Sequence, residues 1–237
     1  MAIKSMKKLL TILTPLTLMG LVAGVTPAQA AIVAGWNSFN ASTATYPRAA
    51  DTVGANITST GLDTAGIGRL FNTVSFRLGG STNPWNTTST VNTNQYVEFA
   101  VQPAAGFQVD FTNLQLNASG TVSLGVLDLV LRSSVDGFTN NLGTQVSLTT
   151  SLNTYSFDLS SLVPQTGPVQ FRLYGLNASS GPGLLLAANS ANVAGGGFVA
   201  LNGDITPTTT VSTPEPSGIV SLIAVGALGA ASLRRRG

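Results

Sequence analysis

From residue 94 onward the apolar residues of this chain recur at every second position, in short runs bounded by Gly, Asn, Pro and Ser. Tyr96-Val97-Glu98-Phe99-Ala100-Val101 puts Val97, Phe99 and Val101 on one side and Glu98 on the other. Phe107-Gln108-Val109-Asp110-Phe111 alternates in the same way and continues through Leu114 and Leu116. Leu127, Leu129 and Leu131 share a face, and Tyr155-Ser156-Phe157-Asp158-Leu159 and Val169-Gln170-Phe171-Arg172-Leu173-Tyr174 repeat the theme. Upstream, Val74-Ser75-Phe76-Arg77-Leu78 belongs to the same class. A period of two is the signature of a strand with one buried and one wet face. No long segment of the body carries the 3.6-residue period of an amphipathic helix, so the body is predicted to be all-β.

Further strands are expected near Ile32–Trp36, Asn56–Ser59, Thr144–Leu148, Leu184–Ala187 and Phe198–Ile205. Turn residues separate the runs: Pro103-Ala104-Ala105-Gly106, Asp136-Gly137, Asn140-Asn141-Leu142-Gly143 and Gly181-Pro182-Gly183. Gly supplies φ > 0 at such corners, and Asp or Asn bonds its own backbone there. About ten short strands, each with a polar face, fit two stacked antiparallel sheets. The expected architecture is a jelly-roll-like β-sandwich over residues 31–205, with Trp36 in its core. A β-helix would need a fixed repeat length, which the chain lacks.

Charge narrows the chemistry. Only 8% of the 237 residues are charged, and there is no Cys and no His. A disulfide framework, a thiolate or imidazole metal site, a Cys nucleophile and a Ser-His-Asp triad are therefore excluded. The formal net charge is +2, but its location matters more than its size. Lys4, Lys7 and Lys8 stand at one end and Arg234, Arg235 and Arg236 at the other. The span 31–213 holds five Arg, no Lys and eight Asp or Glu, a net charge of −3. No basic patch for nucleic acid remains in the body.

Both termini read as address labels. Lys4, Lys7 and Lys8 precede an apolar run from Leu9 to Val25, and Ala28-Gln29-Ala30 forms the small-x-small pattern that a signal peptidase accepts. A signal peptide over 1–30 is expected, with Ala28 and Ala30 at the cleavage site. At the other end a Thr/Pro-rich linker, 206–213, leads to Pro214-Glu215-Pro216. An apolar span, 217–233, and the Arg cluster Arg234, Arg235 and Arg236 follow. Seventeen helical residues rise about 25 Å, nearly the roughly 30 Å of a hydrocarbon core, and flanking Arg side chains snorkel across the difference. The Arg cluster stays cytoplasmic by the positive-inside rule. Each Pro breaks helical continuation, so the tripeptide stands extended at the membrane surface, where a protease reads it.

This tail, Pro214 to Arg236, resembles the PEP-CTERM sorting signal of diderm bacteria. The resemblance implies that a membrane-embedded exosortase recognises the tail and cleaves near Pro-Glu-Pro. It also implies transient residence in the inner membrane and release to the outer surface or extracellular matrix, often beside an exopolysaccharide system. The body, over roughly 94–205, resembles a domain common among PEP-CTERM proteins. The blocks that carry the likeness are Tyr96 to Phe99, Pro103 to Phe107, Leu131 to Phe138, Phe157 to Ser160 and Phe171 to Ala178. That resemblance implies a jelly roll of the galactose-binding or laminin-G kind, without established activity. The family closes with an Asp-Asn-Val strand after a Gly, whereas Gly197-Phe198-Val199 stands there in this chain.

Candidate ligand contacts are few. Trp85, in Asn83-Pro84-Trp85-Asn86, lies in a polar, loop-like segment and is the aromatic best placed to stack on a sugar; its alternative is a half-buried loop anchor. Arg132 and Arg172 are rare charges within the family-like blocks. Asp128, Asp136 or Asp158 are expected as their partners, in cross-strand ion pairs or in orienting a loop that touches polysaccharide. Glu98 reads as a solvated strand position and Asp136-Gly137 as a turn. Gly195-Gly196-Gly197 precedes a strand and so is a loop rather than a phosphate cradle. No catalytic residue, metal site or cofactor is expected. Three functional classes follow: a non-catalytic surface or matrix protein, a lectin-like module for exopolysaccharide, and a polysaccharide hydrolase working with two carboxylates.

Overall fold

The computed structural model describes residues 31–37, 47–72, 75–79, 84–120, 127–178, 184–187 and 198–208. The expected signal peptide, most of the linker, Pro214-Glu215-Pro216, the apolar span and the Arg cluster lie outside these residues, as does the Gly195–Gly197 loop.

The strands in chain order are β1 (Ala31–Trp36), β2 (Thr52–Val53), β3 (Ile57–Ser59), β4 (Asp63–Ala65), β5 (Arg69–Asn72), β6 (Ser75–Leu78) and β7 (Tyr96–Pro103). Then come β8 (Phe107–Gly120), β9 (Leu127–Ser133), β10 (Leu142–Leu148), β11 (Asn153–Asp158), β12 (Val169–Leu176), β13 (Leu184–Ala187) and β14 (Val199–Pro207). Among the described residues they form two antiparallel sheets. The eight-stranded sheet runs β2-β1-β14-β8-β13-β6-β5, with β11 also on β8. The six-stranded sheet runs β10-β9-β12-β7-β3, with β4 also on β7. No helix among the described residues is long and apolar enough to cross a membrane.

The alternation explains the packing. Val97, Phe99 and Val101 of β7 and Leu127, Leu129 and Leu131 of β9 face inward. So do Val169, Phe171 and Leu173 of β12, and all nine join one core with Leu114, Leu116 and Phe157 of the other sheet. Four rings bridge the sandwich. Trp36 lies 4.9 Å from Phe99 between centroids, Phe99 5.5 Å from Phe171, and Phe171 5.3 Å from Phe111 at an edge-on 86°. Offset and edge-to-face rings complement each other's quadrupoles, which adds to their burial. The jelly-roll-like sandwich expected from the sequence is therefore the fold that forms.

β8 changes phase within its length. Val109 and Phe111 are core residues, and so are Leu114, Leu116 and Ala118. Odd positions face inward before residue 112 and even positions after it. The pairing with β14 shows why: Phe111 faces Gly203 and Asn113 faces Asn202, so Thr112 is an extra residue opposite one step of β14. Such a bulge puts two successive side chains, Thr112 and Asn113, on the outer face.

A second, smaller cluster lies on the outer face of the six-stranded sheet. Val130, Tyr174 and Leu176 are buried there against Val91 and Tyr96. The segment 84–95 reaches both sides of the sheet: Trp85 joins the main core and Val91 the outer cluster. It is pinned to the end of β12 where the backbone N–H groups of Asn177 and Ala178 donate to the carbonyls of Thr88 and Asn86, both at 3.0 Å.

Candidate functional site

Trp85 is a core residue, which corrects the expectation of a sugar-stacking platform. It is 1% exposed, and its Nε1 donates to the Leu78 carbonyl at 2.7 Å. Its indole fills the space above Gly175 of β12, where any Cβ would overlap the ring. The polar neighbours that make the segment read as a surface loop bond one another instead. Asn86 Nδ2 donates to the Thr90 carbonyl, and Asn86 Oδ1 accepts from the Thr88 N–H at 3.1 Å.

Arg172 and Arg132 are brought together. The register places Glu98 of β7, Arg172 of β12 and Arg132 of β9 in one cross-strand row. Like charges directly opposite destabilise a sheet, so each guanidinium needs its own partners. Arg172 Nε pairs with Glu98 Oε2 at 3.2 Å, and Gln170 Nε2 donates to the same oxygen at 2.7 Å. The Arg172 guanidinium also lies between two rings, 4.2 Å from the Tyr96 centroid and 4.1 Å from that of Phe138. Burial opposes its charge, but a hydrogen bond with Tyr174 and the fields of Tyr96, Tyr174 and Glu98 outweigh it. The pKa of Arg172 is thereby raised. Arg132 Nε donates to Asn141 Oδ1 at 2.9 Å and its Nη1 to the Phe138 carbonyl at 3.0 Å.

These contacts correct the expected partners. Arg172 takes Glu98, which is half-buried in an ion pair rather than simply solvated, and Arg132 takes an amide and a carbonyl. Asp128 instead accepts from Ser147 Oγ at 2.6 Å and Asn177 Nδ2 at 2.7 Å. Asp158 accepts from the Ser160 N–H at 2.9 Å, which holds its pKa below the usual aspartate value.

Both arginines hold the loop 134–141. A 3-10 turn, Ser134–Asp136, is followed by Gly137 at φ 68° and Phe138 at φ 61°. A left-handed conformation is strained for a bulky residue. The Phe138 ring is kept there by its stack on Arg172, and its N–H donates to the Ser133 carbonyl at 2.8 Å. Asp136 closes the loop by accepting from the N–H groups of Thr139 at 3.2 Å and Asn140 at 2.9 Å. Burial works against the charge of Asp136. The backbone and side-chain bonds from Asn140 and the backbone bond from Thr139 outweigh it and lower its pKa.

A row that sequence reasoning misses lies on the outer face of the eight-stranded sheet. The bulge and the alternation after it place Thr112, Asn113, Gln115, Asn117 and Ser119 of β8 there. Cross-strand neighbours on β11 are Asp158 beside Asn113, Ser156 beside Gln115 and Thr154 beside Asn117. On β14 they are Asn202 and Ala200. Asn202 Nδ2 donates to Asn113 Oδ1 at 2.9 Å. Thr112 Oγ1, Gln115 Oε1 and Asn117 Nδ2 are buried without a hydrogen-bond partner among the described residues. Asn117 as a whole is 2% exposed, while Thr112, Asn113 and Gln115 are half-buried. An unmade hydrogen bond at a buried polar atom costs about 1–3 kcal/mol. Native proteins carry a few such atoms per hundred residues, and ordered water commonly satisfies them. The signal in the sequence is the slip from Val109 and Phe111 to Leu114 and Leu116.

A concavity lies on the six-stranded sheet. A shallow cleft of about 180 Å³ at the edge of the six-stranded sheet is lined by Thr58, Ser59, Thr60, Ala100, Gln102 and Pro168. Its hydroxyls already bond the Gln102 and Ala100 carbonyls and the Ala100 N–H. Among the described residues no three acidic side chains gather to hold a metal ion.

No protein-family model matches the chain, and no curated protein sequence matches it. Solved structures with some likeness include a mutant family 29 carbohydrate-binding module complexed with mannohexaose. It is 11% identical with a TM-score of 0.38, over 73% of this chain and 92% of that one. A structure described as "Carbohydrate binding module family29" is 9% identical at the same TM-score of 0.38, over 73% of this chain and 89% of that one. A structure described as "CBM4 structure and function" is 9% identical with a TM-score of 0.29, over 61% of this chain and 79% of that one. Likeness at this level assigns neither a family nor a ligand to this chain.

Proposed function

We propose that this chain is an exported, exosortase-processed protein whose β-sandwich is a non-catalytic component of the outer surface or extracellular matrix. The address labels are the sequence features already given: Ala28 and Ala30 for signal peptidase, and Pro214, Glu215, Pro216 and Arg234 to Arg236 for exosortase. The observation that carries the body's part is where its charges go. Glu98, Asp128, Asp136 and Asp158 each accept bonds that hold a strand or a loop, and Arg132 and Arg172 clamp the loop 134–141. Carboxylates tied down in this way are poorly placed to serve as general acids. Fractionation of cells that make the chain with and without residues 214–237, in wild-type and exosortase-null strains, tests the proposal. Release to the surface or medium should require both tail and exosortase. Unchanged processing and location in the null strain would overturn it.

A second reading is a lectin-like module that binds exopolysaccharide. Polysaccharides present hydroxyls that both donate and accept, and a body rich in Thr, Ser, Asn and Gln answers them without charge. Trp85, Arg132 and Arg172 do not support that reading as direct contacts, because each is spent on the fold. The arginines' role is limited to fixing the loop 134–141.

A further inference from the structure

We propose that the cleft at the edge of the six-stranded sheet is a binding site for one residue of a neutral sugar, with Thr58, Thr60 and Gln102 as its polar contacts; this rests on the polysaccharide-binding reading and gives it a place. The strand phase puts the cleft on the outer face of the sheet. Val101 and Val169 are core residues, so Ala100, Gln102 and Pro168, their neighbours in the chain, point outward. Thr58 stands opposite Gln102, and the Thr60 N–H donates to the Ala100 carbonyl at 2.8 Å. Gln170 of β12 stands opposite Ala100, but its amide is drawn along the sheet to Glu98 Oε2 at 2.7 Å. The methyl group of Ala100 is thus left as a floor, with Pro168 as an apolar wall. Thr58, Thr60, Gln102 and Pro168 are all exposed, so a ligand reaches them directly.

Hydrogen bonding sets the class of ligand. Thr58 Oγ1 spends its proton on the Gln102 carbonyl at 3.4 Å. Thr60 Oγ1 spends its own on the Ala100 carbonyl at 3.4 Å and accepts from the Ala100 N–H at 2.7 Å. A hydroxyl has one proton and two lone pairs, so both oxygens face a ligand as acceptors. The exposed Gln102 amide both donates and accepts. Among the described residues no charged side chain lines the cleft, and Glu98 beyond Gln170 is paired with Arg172. An anion meets too few donors there and a cation no carboxylate, whereas a sugar hydroxyl gives its proton to one group and accepts from another. The volume of about 180 Å³ is below the roughly 300–1,000 Å³ of a site for a drug-sized ligand, so the cleft suits a single ring rather than a buried chain.

NMR titration of isotopically labelled protein, isolated from cells expressing the full chain, reads the site directly. The neutral probes are the methyl glycosides of glucose, mannose and galactose, with a glucan and a mannan hexasaccharide; glucuronate is the anionic probe. At least one neutral probe should shift the side-chain amide resonances of Gln102 and the backbone amides of Ser59 and Val101. Glucuronate should bind at least about tenfold more weakly. Gln102→Ala removes an exposed amide and Ala100→Leu fills the floor, so each should melt with the parent while losing at least about tenfold in affinity. Thr58→Val removes only a hydroxyl and gives the same test if Ala100→Leu fails to fold. Leu152→Ala, in the turn between β10 and β11, should bind as the parent does. A neutral sugar bound equally by the parent, Gln102→Ala and Ala100→Leu would overturn the site and leave the polysaccharide reading standing. No binding of any neutral probe would overturn both. Glucuronate bound as tightly as the neutral probes would overturn the hydrogen-bonding argument.

Discussion

Trp85 and Gly175 are a matched pair, because the absent side chain at 175 is the space that the indole occupies. Gly175→Ala forces overpacking worth about 1–3 kcal/mol, a fall in Tm of about 2–4 °C for each kcal/mol in a chain of this size. An unchanged Tm would contradict the fit. Both tryptophans of the chain, Trp36 and Trp85, are buried. Their fluorescence should resist acrylamide in the folded protein and stay put when glycan is added; a glycan-induced shift would place a ring at a binding surface. Sequence reasoning sets Trp36 inside but reads Trp85 as a sugar-stacking ring or a half-buried loop anchor, since Asn83-Pro84-Trp85-Asn86 is a polar, loop-like segment. What it lacks is the tertiary role of Gly175, which reads locally as an ordinary strand glycine. Arg172 stands out by its rarity, but its partner is set by register, which brings Glu98 rather than an Asp beside it. Its flat guanidinium stacks between Tyr96 and Phe138 in a way an ammonium does not. Arg172→Lys should therefore lower stability by about 1 kcal/mol by calorimetry even though the charge is kept. Full stability in that variant would show that the charge alone matters.

At the scale of elements, strands with strict alternation are legible in the sequence and short ones are not. β7, β9 and β12 lie where the apolar period places them, whereas β2, β4 and β5 carry too few residues to show a period. β11 begins earlier than its apolar run, at Asn153, because pairing with β8 recruits Asn153 and Thr154 whatever their polarity. The phase slip in β8 is visible as a shift from odd to even apolar positions. Its consequence, three orphaned polar atoms, depends on which side chains the neighbouring strands bring. The loop 134–141 makes a prediction of its own. The folded pKa of Asp136 lies below its unfolded value of about 3.9. Its contribution is therefore complete above the unfolded value and is lost as pH falls through the folded one. Amide protection factors at Thr139 and Asn140 should drop as pH is lowered through the acid range below about 3.9, and Asp136→Asn should remove that dependence. Flat protection across that range would mean that the carboxylate does not close the loop.

For the whole molecule, the described body and the two ends follow different physics. The span 31–213 carries a net charge of −3, and Thr, Ser, Asn and Gln account for much of its wet surface. That charge does not suit nucleic acid, whose phosphates call for a basic surface. The ends hold six of the eleven basic residues, each set beside an apolar run. Under the proposed function the ends deliver the sandwich and are then removed. Intact-mass measurement of the protein recovered from the cell surface or medium tests this most directly. The mature chain should begin at Ala31, end near Pro214–Pro216 and be missing from the medium of an exosortase-null strain. A recovered chain that still ends at Gly237 would contradict it.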